Sequence, residues 1–234
     1  MLTVAATGST NADLLALARD GGAQEGVWLR AERQSAGRGR QGRPWESAPG
    51  NLYVSTVVTL RPDDPPAPGL ALVAAVALEE AVRAALPDAA ALMLKWPNDL
   101  LLGGAKLSGV LLERAAGQVV IGIGVNVAHH PALPDRPTTS LHDAGSPVTA
   151  AGLLEDLAAA LADWLAVWRM DGMAPVAARW TGRAHALGTA LTARLPDGSG
   201  VEGRFAGLDA SGALLLDTAA GGRRVVHAGD VFLV

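Results

Sequence analysis

The stretch Leu92-Met93-Leu94-Lys95-Trp96-Pro97-Asn98-Asp99-Leu100-Leu101-Leu102-Gly103-Gly104-Ala105-Lys106-Leu107-Ser108-Gly109 decides how this chain folds. An apolar run, Leu92 to Trp96, stops at Pro97, which has no amide to give a ladder. A second run, Asp99 to Leu102, stops at Gly103-Gly104, a pair suited to a two-residue hairpin turn. Lys106 to Glu113 then reads as the returning strand. Working outward, Leu52 to Leu60 and Val119 to Val127 read as strands, the first rich in β-branched residues, and Val27 to Glu32 as a shorter one. Leu70 to Leu86 reads as a buried helix. Thr149 to Trp168 is helical, with Trp164, Leu165 and Trp168 on one side, and Pro175 to Arg183 is a shorter helix. Near the start, Thr10-Asn11-Ala12-Asp13 reads as a helix cap. Leu14, Leu15, Leu17 and Ala18 follow as an apolar face, and Gly21-Gly22 ends the helix.

Two segments interrupt this pattern. Arg61 to Pro68 holds four prolines and is a turn or linker. Arg33 to Pro49, polar and glycine-rich, is a long loop, and long ordered loops in compact domains are usually functional. After Ala186-Leu187-Gly188 short strands alternate with turn signals at Asp197-Gly198-Ser199-Gly200, Asp209-Ala210-Ser211-Gly212 and Gly221-Gly222. The expected organisation is a mixed α/β unit over residues 1–187 and a small, barrel-like β module over 188–234.

Composition narrows the function. The chain has 234 residues, 19 basic and 23 acidic, for a net charge of −4, so it has no general electrostatic pull towards nucleic acid or anionic lipid. It contains no cysteine, which excludes thiol nucleophiles, disulfides and cysteine-held zinc. Met1 to Thr7 lacks the basic start of a signal peptide. The most apolar stretch, Gly69 to Leu78, runs into Glu79-Glu80 too soon to span a bilayer. A cytoplasmic protein without membrane attachment is expected.

The loop Gly37-Arg38-Gly39-Arg40-Gln41-Gly42-Arg43 pairs glycines, which let backbone amides approach a ligand, with guanidinium forks suited to carboxylate and phosphate oxygens. It lacks the Gly-Lys-Ser/Thr ending of a P-loop. Taken alone it also reads as a solvated basic loop or a nucleic-acid patch. In Lys95-Trp96-Pro97-Asn98-Asp99 the polar pair sits at a strand mouth, where α/β folds place ligands. There Asn98 can read a base edge and Asp99 can hold a metal or orient a cation. The alternative is an Asn-Asp turn that satisfies its own backbone. Lys106 opens a buried strand, which is costly unless its ammonium meets an anion, and Gly109 leaves space beside it. An edge lysine that blocks aggregation is the plainer reading. Ser9-Thr10-Asn11 is explained by helix capping, a role compatible with ligand contact. Gly122-Ile123-Gly124-Val125-Asn126 lacks the third glycine of a dinucleotide fingerprint. Its glycines let a backbone or ligand pack against the strand. The histidines, His129-His130 included, show no metal-ligand spacing.

Together, Ser9-Thr10-Asn11, Gln34 to Trp45, Gly50 to Ser55, Lys95 to Asp99, Lys106 to Gly109 and Ile121 to Asn126 resemble the biotin protein ligases in order and spacing. The resemblance runs from about residue 8 onward, densest over 34–126. It implies an α+β fold, a mixed-sheet catalytic domain like that of class II synthetases and an SH3-like barrel after it. With the first motif at Ser9, it implies the short form, without a DNA-binding domain. It implies that biotin and ATP are substrates with Mg²⁺ on the phosphates, and that a biotin carboxyl carrier protein is the acceptor; a homodimer is compatible with it. By position, Ser9, Thr10, Asn11 and Gln34 would bind the biotin head. Gly37, Arg38, Gly39, Arg40, Lys106 and Gly109 complete the biotin site. Arg38, Arg40, Arg43, Trp45, Asn98, Asp99, Lys106 and Asn126 would face ATP or the adenylate. Lys106 and Arg40 are the catalytic pair, and Asp99 is the one candidate protein contact for a metal. Ser35 stands where many members have threonine, and the end, Phe232-Leu233-Val234, lacks a basic residue some members carry. Rival readings are lipoate or octanoate transfer on the same fold, and a biotin-binding module without catalysis.

Overall fold

The computed structural model describes residues 1–233. Its larger sheet contains β1 (Leu2–Val4), β2 (Trp28–Ala31), β3 (Leu52–Thr59), β4 (Leu92–Lys95), β5 (Asp99–Leu102), β6 (Ala105–Ala115) and β7 (Gln118–Val125), in the order β1-β2-β3-β7-β6-β5-β4. β1 and β2 are parallel, and the other neighbouring pairs are antiparallel. The expected hairpin at Gly103-Gly104 joins β5 to β6, both glycines having positive φ. β1 was not anticipated: three residues at an exposed edge carry too little periodicity to read. Asn98 and Asp99 do not sit at the strand mouth expected for them. Lys95 pairs with Asp99 across an antiparallel hairpin, so they lie at a tight turn and not at the carboxyl end of a parallel strand.

The helices are α1 (Thr10–Arg19), α2 (Leu70–Ala85), α3 (Ala150–Asp171) and α4 (Met173–Thr181). Thr149 caps α3 by accepting from the Gly152 amide at 3.2 Å. Strand alternation assigns the helices to opposite faces of the sheet. Val119, Ile121, Ile123 and Val125 of β7 join the main core with α2 and α3. Val120, on the other face, joins Val57, Leu29 and Ala115 under Leu14, Leu15 and Ala18 of α1. Sandwiched between the sheet, α3 and α4, α2 is apolar almost all round. It still buries Glu79, whose carboxylate takes the Arg83 guanidinium at 2.6 Å.

The chain's last strands, β8 (Ala190–Arg194), β9 (Gly200–Leu208), β10 (Leu214–Asp217), β11 (Arg223–Val226) and β12 (Asp230–Leu233), form a second, antiparallel sheet ordered β11-β10-β9-β8-β12. Gly198, Gly212 and Gly221 take positive φ in the turns where they were expected. This sheet is anchored to the first unit. Phe205 meets Trp180 edge-on at 6.4 Å, and Trp96 Nε1 donates to the Gly212 carbonyl at 3.2 Å. The fold is α+β, as expected. Among the described residues no helix is long and apolar enough to cross a membrane.

Buried Asn51 locks the start of β3 to the exit of β7. Its Oδ1 accepts from the amides of Val127, Ala128 and His129 at 2.9, 2.9 and 3.0 Å, and its Nδ2 donates to the His129 carbonyl at 2.9 Å. Asn51→Ala leaves several main-chain groups unpaired and is expected to lower stability by about 2 kcal/mol or more. Urea unfolding of the full chain measures this; a loss below about 0.5 kcal/mol would contradict the role, since surface changes fall in that range.

Candidate active site

The sheet face that carries α1 continues past the helix as the floor of a cavity of about 840 Å³. Glycine makes the floor. On β7, Val120 packs under α1, but the next residues on that face are Gly122 and Gly124. A Cβ on Gly122 would lie 2.3 Å from Asn11 Oδ1, and one on Gly124 would lie 2.6 Å from the Trp45 ring. Gly109, paired with Gly124 on β6, would bring its Cβ to 3.4 Å from both Trp45 and Lys106 Nζ. The expected clearance beside these strands is therefore used by side chains as well as being open to a ligand.

At one end the floor is uncharged and hydrogen-bonded. Ser9 occupies the N-cap position of α1, yet its side chain makes no capping bond. The capping explanation of Ser9-Thr10-Asn11 is thus wrong for the side chains. Asp13, read as part of the cap, instead accepts from Thr7 Oγ1 at 2.5 Å. Thr10 and Asn11 turn inward because Gly122 leaves room. Ser55 Oγ donates to Asn11 Oδ1 at 2.7 Å and lies 2.7 Å from Thr10 Oγ1. A hydroxyl has one proton: with that of Ser55 given to Asn11, the Thr10 proton serves the shorter of its two contacts, Ser55, and not Gln34 Oε1 at 3.2 Å. Gln34 Oε1 accepts from the Thr10 amide at 2.9 Å, and Asn11 Nδ2 donates to Glu113 Oε2 at 2.9 Å.

The other end is charged. Pairing of β5 with β6 shifts between Leu100 and Leu101: Ser108 faces Leu100 but Lys106 faces Leu101. Leu107 is the extra residue of a bulge, which reverses the strand's alternation. Leu107 therefore enters the core, and Lys106 comes round to the face of Gly109. Its Nζ donates to Asp99 Oδ1 at 2.6 Å and lies 5.7 Å from the centre of the Trp45 ring. The anion that meets the ammonium within the fold is thus the Asp99 carboxylate. Lys95 adds a second ammonium, 5.1 Å from the Phe232 ring centre. Burial lowers its pKa from the ordinary lysine value, with the positive charges of Lys106 and Arg136 acting in the same direction and Asp99 and Asp230 opposing.

The loop over this end closes on itself. Trp45 donates its amide to Gly37 and Gly39 donates to Arg43, at 2.9 and 2.8 Å. Arg40 points in: Nη1 donates to Asn98 Oδ1 at 3.1 Å and Asp230 Oδ1 at 3.2 Å, and Nη2 donates to the Gly229 carbonyl at 3.3 Å. Arg43 reaches Asp230 Oδ2 at 2.8 Å. For Asp230, burial alone would raise the carboxyl pKa. The hydrogen bond from Arg43 and the charges of Arg40, Arg43 and Lys95 outweigh it and hold the group below the usual aspartate value. A lowered carboxyl pKa means these ties persist at neutral pH and fail only as pH falls through that value.

The cavity brings together Ser9, Thr10, Asn11 and Gln34 with Arg38, Gly39, Arg40 and Arg43, and also Trp45, Asn98, Asp99, Lys106, Gly109 and Asn126. Gly37 alone among the expected residues is not part of its wall. A Cβ there would sit 2.6 Å from the Trp45 carbonyl, so glycine serves loop closure. Asn98 and Asn126 spend amide protons on the fold: Asn98 on the Val110 carbonyl at 2.6 Å, Asn126 on Thr139 at 3.0 Å. Among the described residues no group of His, Asp and Glu suits a metal ion. Sequence reading missed Ser55, Glu113 and Asp230. Strand register alone puts Ser55 beside Gly122, and Asp230 lies in the other sheet.

Comparison with known proteins bears on the family and the fold. Residues 9–127 match the model of the biotin/lipoate A/B protein ligase family, and residues 187–234 match the biotin protein ligase C-terminal domain. A biotin–[acetyl-CoA-carboxylase] ligase of Paracoccus denitrificans is 41% identical, covering 98% of this chain and 98% of the relative. One of Mycobacterium tuberculosis is 41% identical, covering 97% of this chain and 86% of the relative. The solved biotin protein ligase of Aquifex aeolicus, in complex with biotin and ATP, shares the fold with a TM-score of 0.86 at 24% identity, over 100% of this chain and 97% of that one. Near-complete coverage at such identity, together with both family matches, shows the family: the chain belongs to the biotin–[acetyl-CoA-carboxylase] ligases.

Proposed function

We propose that the chain attaches biotin to protein in two steps. The biotin carboxylate attacks the α-phosphate of ATP, giving biotinyl-5′-AMP and pyrophosphate. A lysine amine of a biotin carboxyl carrier domain then attacks the acyl carbon of the mixed anhydride, loses a proton and displaces AMP. The observation that carries this reading is one cavity with two chemistries: an uncharged hydrogen-bonding floor beside a wall of ammonium and guanidinium groups. A ureido ring needs neutral donors and acceptors; a carboxylate meeting a phosphate needs fixed positive charge.

In this reading Ser9, Thr10, Asn11 and Gln34 hold the biotin head, and Ser55 keys their orientation. Lys106 has three N–H donors. It can keep Asp99 as a positioning partner while bridging the carboxylate and α-phosphate oxygens as charge builds on them. Arg38 and Arg40 offer further donors from the loop, and the reacting groups gain from being held together. Trp45 covers the adenylate; its buried Nε1 has no hydrogen-bond partner among the described residues. Asn98 acts by aiming Arg40, Asn126 and Arg43 by supporting the site, and Gly37 by closing the loop. Asp99 is occupied by Lys106, so the residues do not form a protein-held metal site; Mg²⁺ would come as the partner of the ATP phosphates. We divide the chain into a catalytic unit, 1–187, and a C-terminal module, 188–234. We read it as a cytoplasmic enzyme whose macromolecular partner is a carrier protein and not DNA. Lipoate or octanoate transfer is the weaker reading, because relatives 41% identical over nearly the whole chain are named as biotin ligases. A silent binding module is weaker too, because Lys106 and Arg40 are both in place.

Biotin-dependent exchange of pyrophosphate into ATP tests the first step. It is expected with biotin and not with lipoate or octanoate; exchange that ignores biotin would refute the reading. Lys106→Ala should fold and lose about a hundredfold or more in adenylate formation, the scale for removing a transition-state donor. Near-wild-type formation would remove Lys106 from the mechanism. Arg40→Gly should release biotinyl-AMP, so that lysines of bystander proteins become labelled; labelling confined to the carrier domain would count against Arg40 as an adenylate clamp.

A further inference from the structure

We infer that Asp230, on the C-terminal module, is a positioning residue for the adenylation loop: it holds Arg40 and Arg43 in the orientation the reaction uses. The inference rests on the biotin-adenylating reading. One carboxylate bridges both guanidiniums, Oδ1 to Arg40 at 3.2 Å and Oδ2 to Arg43 at 2.8 Å. The neighbouring Gly229 carbonyl takes the other Arg40 nitrogen at 3.3 Å. With Asn98 Oδ1 accepting from the same Nη1 at 3.1 Å, Arg40 is held by residues of both units of the molecule.

The grip has a rigid base. Asp230 begins β12 and pairs with Arg194 of β8, and a Cβ on Gly229 would lie 2.5 Å from the Arg194 carbonyl. The module is itself wedged against the first unit, since a Cβ on Gly212 would meet a Leu72 side chain at 2.6 Å. The loop's own main-chain ties, Trp45 to Gly37 and Gly39 to Arg43, close it but bury nothing at its tip. Within Arg40–Gly42 no residue is buried, and Gln41 stands at φ 57°.

Magnitudes show what this contact is for. The Arg43 side chain is 46% exposed and Arg40 27%, and ion pairs this open to water add little to stability. They can still fix where a flexible guanidinium points. A fork already held on one side presents its remaining N–H groups in a set direction, which lowers the ordering cost when an anion arrives. The C-terminal module thereby becomes part of the adenylation site through a residue that need not touch the substrate.

Asp230→Ala and Asp230→Asn, made in the full chain, test this. Either should speed tryptic cleavage after Arg38, Arg40 or Arg43 about tenfold while the melting temperature stays near wild type. Either should also slow adenylate formation and hasten biotinyl-AMP loss by about tenfold, the effect of one lost charge-assisted hydrogen bond. Biotin affinity should change less than about threefold, and Asp230→Glu should recover part of the rate. Adding Arg43→Ala to Asp230→Ala should cost little more than either alone, as for residues acting through one contact. Wild-type cleavage, adenylation and retention in Asp230→Asn, or independent effects of the paired changes, would overturn the inference. If Asp230→Ala does not fold, the Asn variant carries the test. Absence of exchange in the wild-type enzyme would instead refute the underlying function and leave cleavage as the readout for the tether.

Discussion

The site depends on one irregularity in the sheet, the bulge that gives Leu107 to the core and turns Lys106 onto the open face. In regular pairing the residue two before Gly109 would share its face, and that residue is Leu107. The ammonium would then point into the apolar layer shared with α2, at a desolvation cost on the order of several kcal/mol. The bulge removes the conflict. Asp99, first residue of the facing strand, completes the arrangement by holding the ammonium at 2.6 Å.

Around this point the same sheet face serves two purposes. Under α1 it is apolar and carries the helix. Beyond α1 the side chains shrink to glycine at 109, 122 and 124, and the vacated depth takes Asn11 and Trp45. The change from core to cavity is a change of side-chain size on strands that otherwise continue unbroken. Polar groups drawn into that depth must be paired. The chain from Glu113 through Asn11, Ser55 and Thr10 to Gln34 pairs them and gives each hydroxyl a fixed donor direction. A neutral ligand ring can then be read by uncharged groups already oriented, with the Glu113 carboxylate behind Asn11 and outside the cavity wall, while the ammonium groups stand at the Lys106 end.

Much of this was legible in the chain. The Gly103-Gly104 hairpin, the long buried helix and the change of pattern after Leu187 could be read from local signals, whereas the expected wall residues came from the resemblance, each motif alone having a plainer reading. What escaped was non-local or below the length of a pattern. Leu2–Val4 is too short to show a period. The bulge hides inside an apolar run because skipping one leucine leaves no mark in composition. Ser55 and Glu113 look like ordinary strand residues until register sets them against Gly122 and Asn11. Ser9-Thr10-Asn11 satisfies the pattern of a cap so well that the inward turn of Thr10 and Asn11, permitted by a glycine more than a hundred residues away, could not be seen. Asp230 reaches Arg40 across 190 positions and between two sheets.

The division of the cavity into a neutral end and a charged end is the centre of this account, and a crystal structure of the enzyme with biotin alone tests it most directly. The account predicts ureido atoms hydrogen-bonded among Thr10, Asn11, Gln34 and Ser55, and the carboxylate directed to Lys106 Nζ or Arg40 at about 3 Å. A biotin bound the other way round, with its carboxylate on the Ser55 side, or bound outside this cavity, would contradict it.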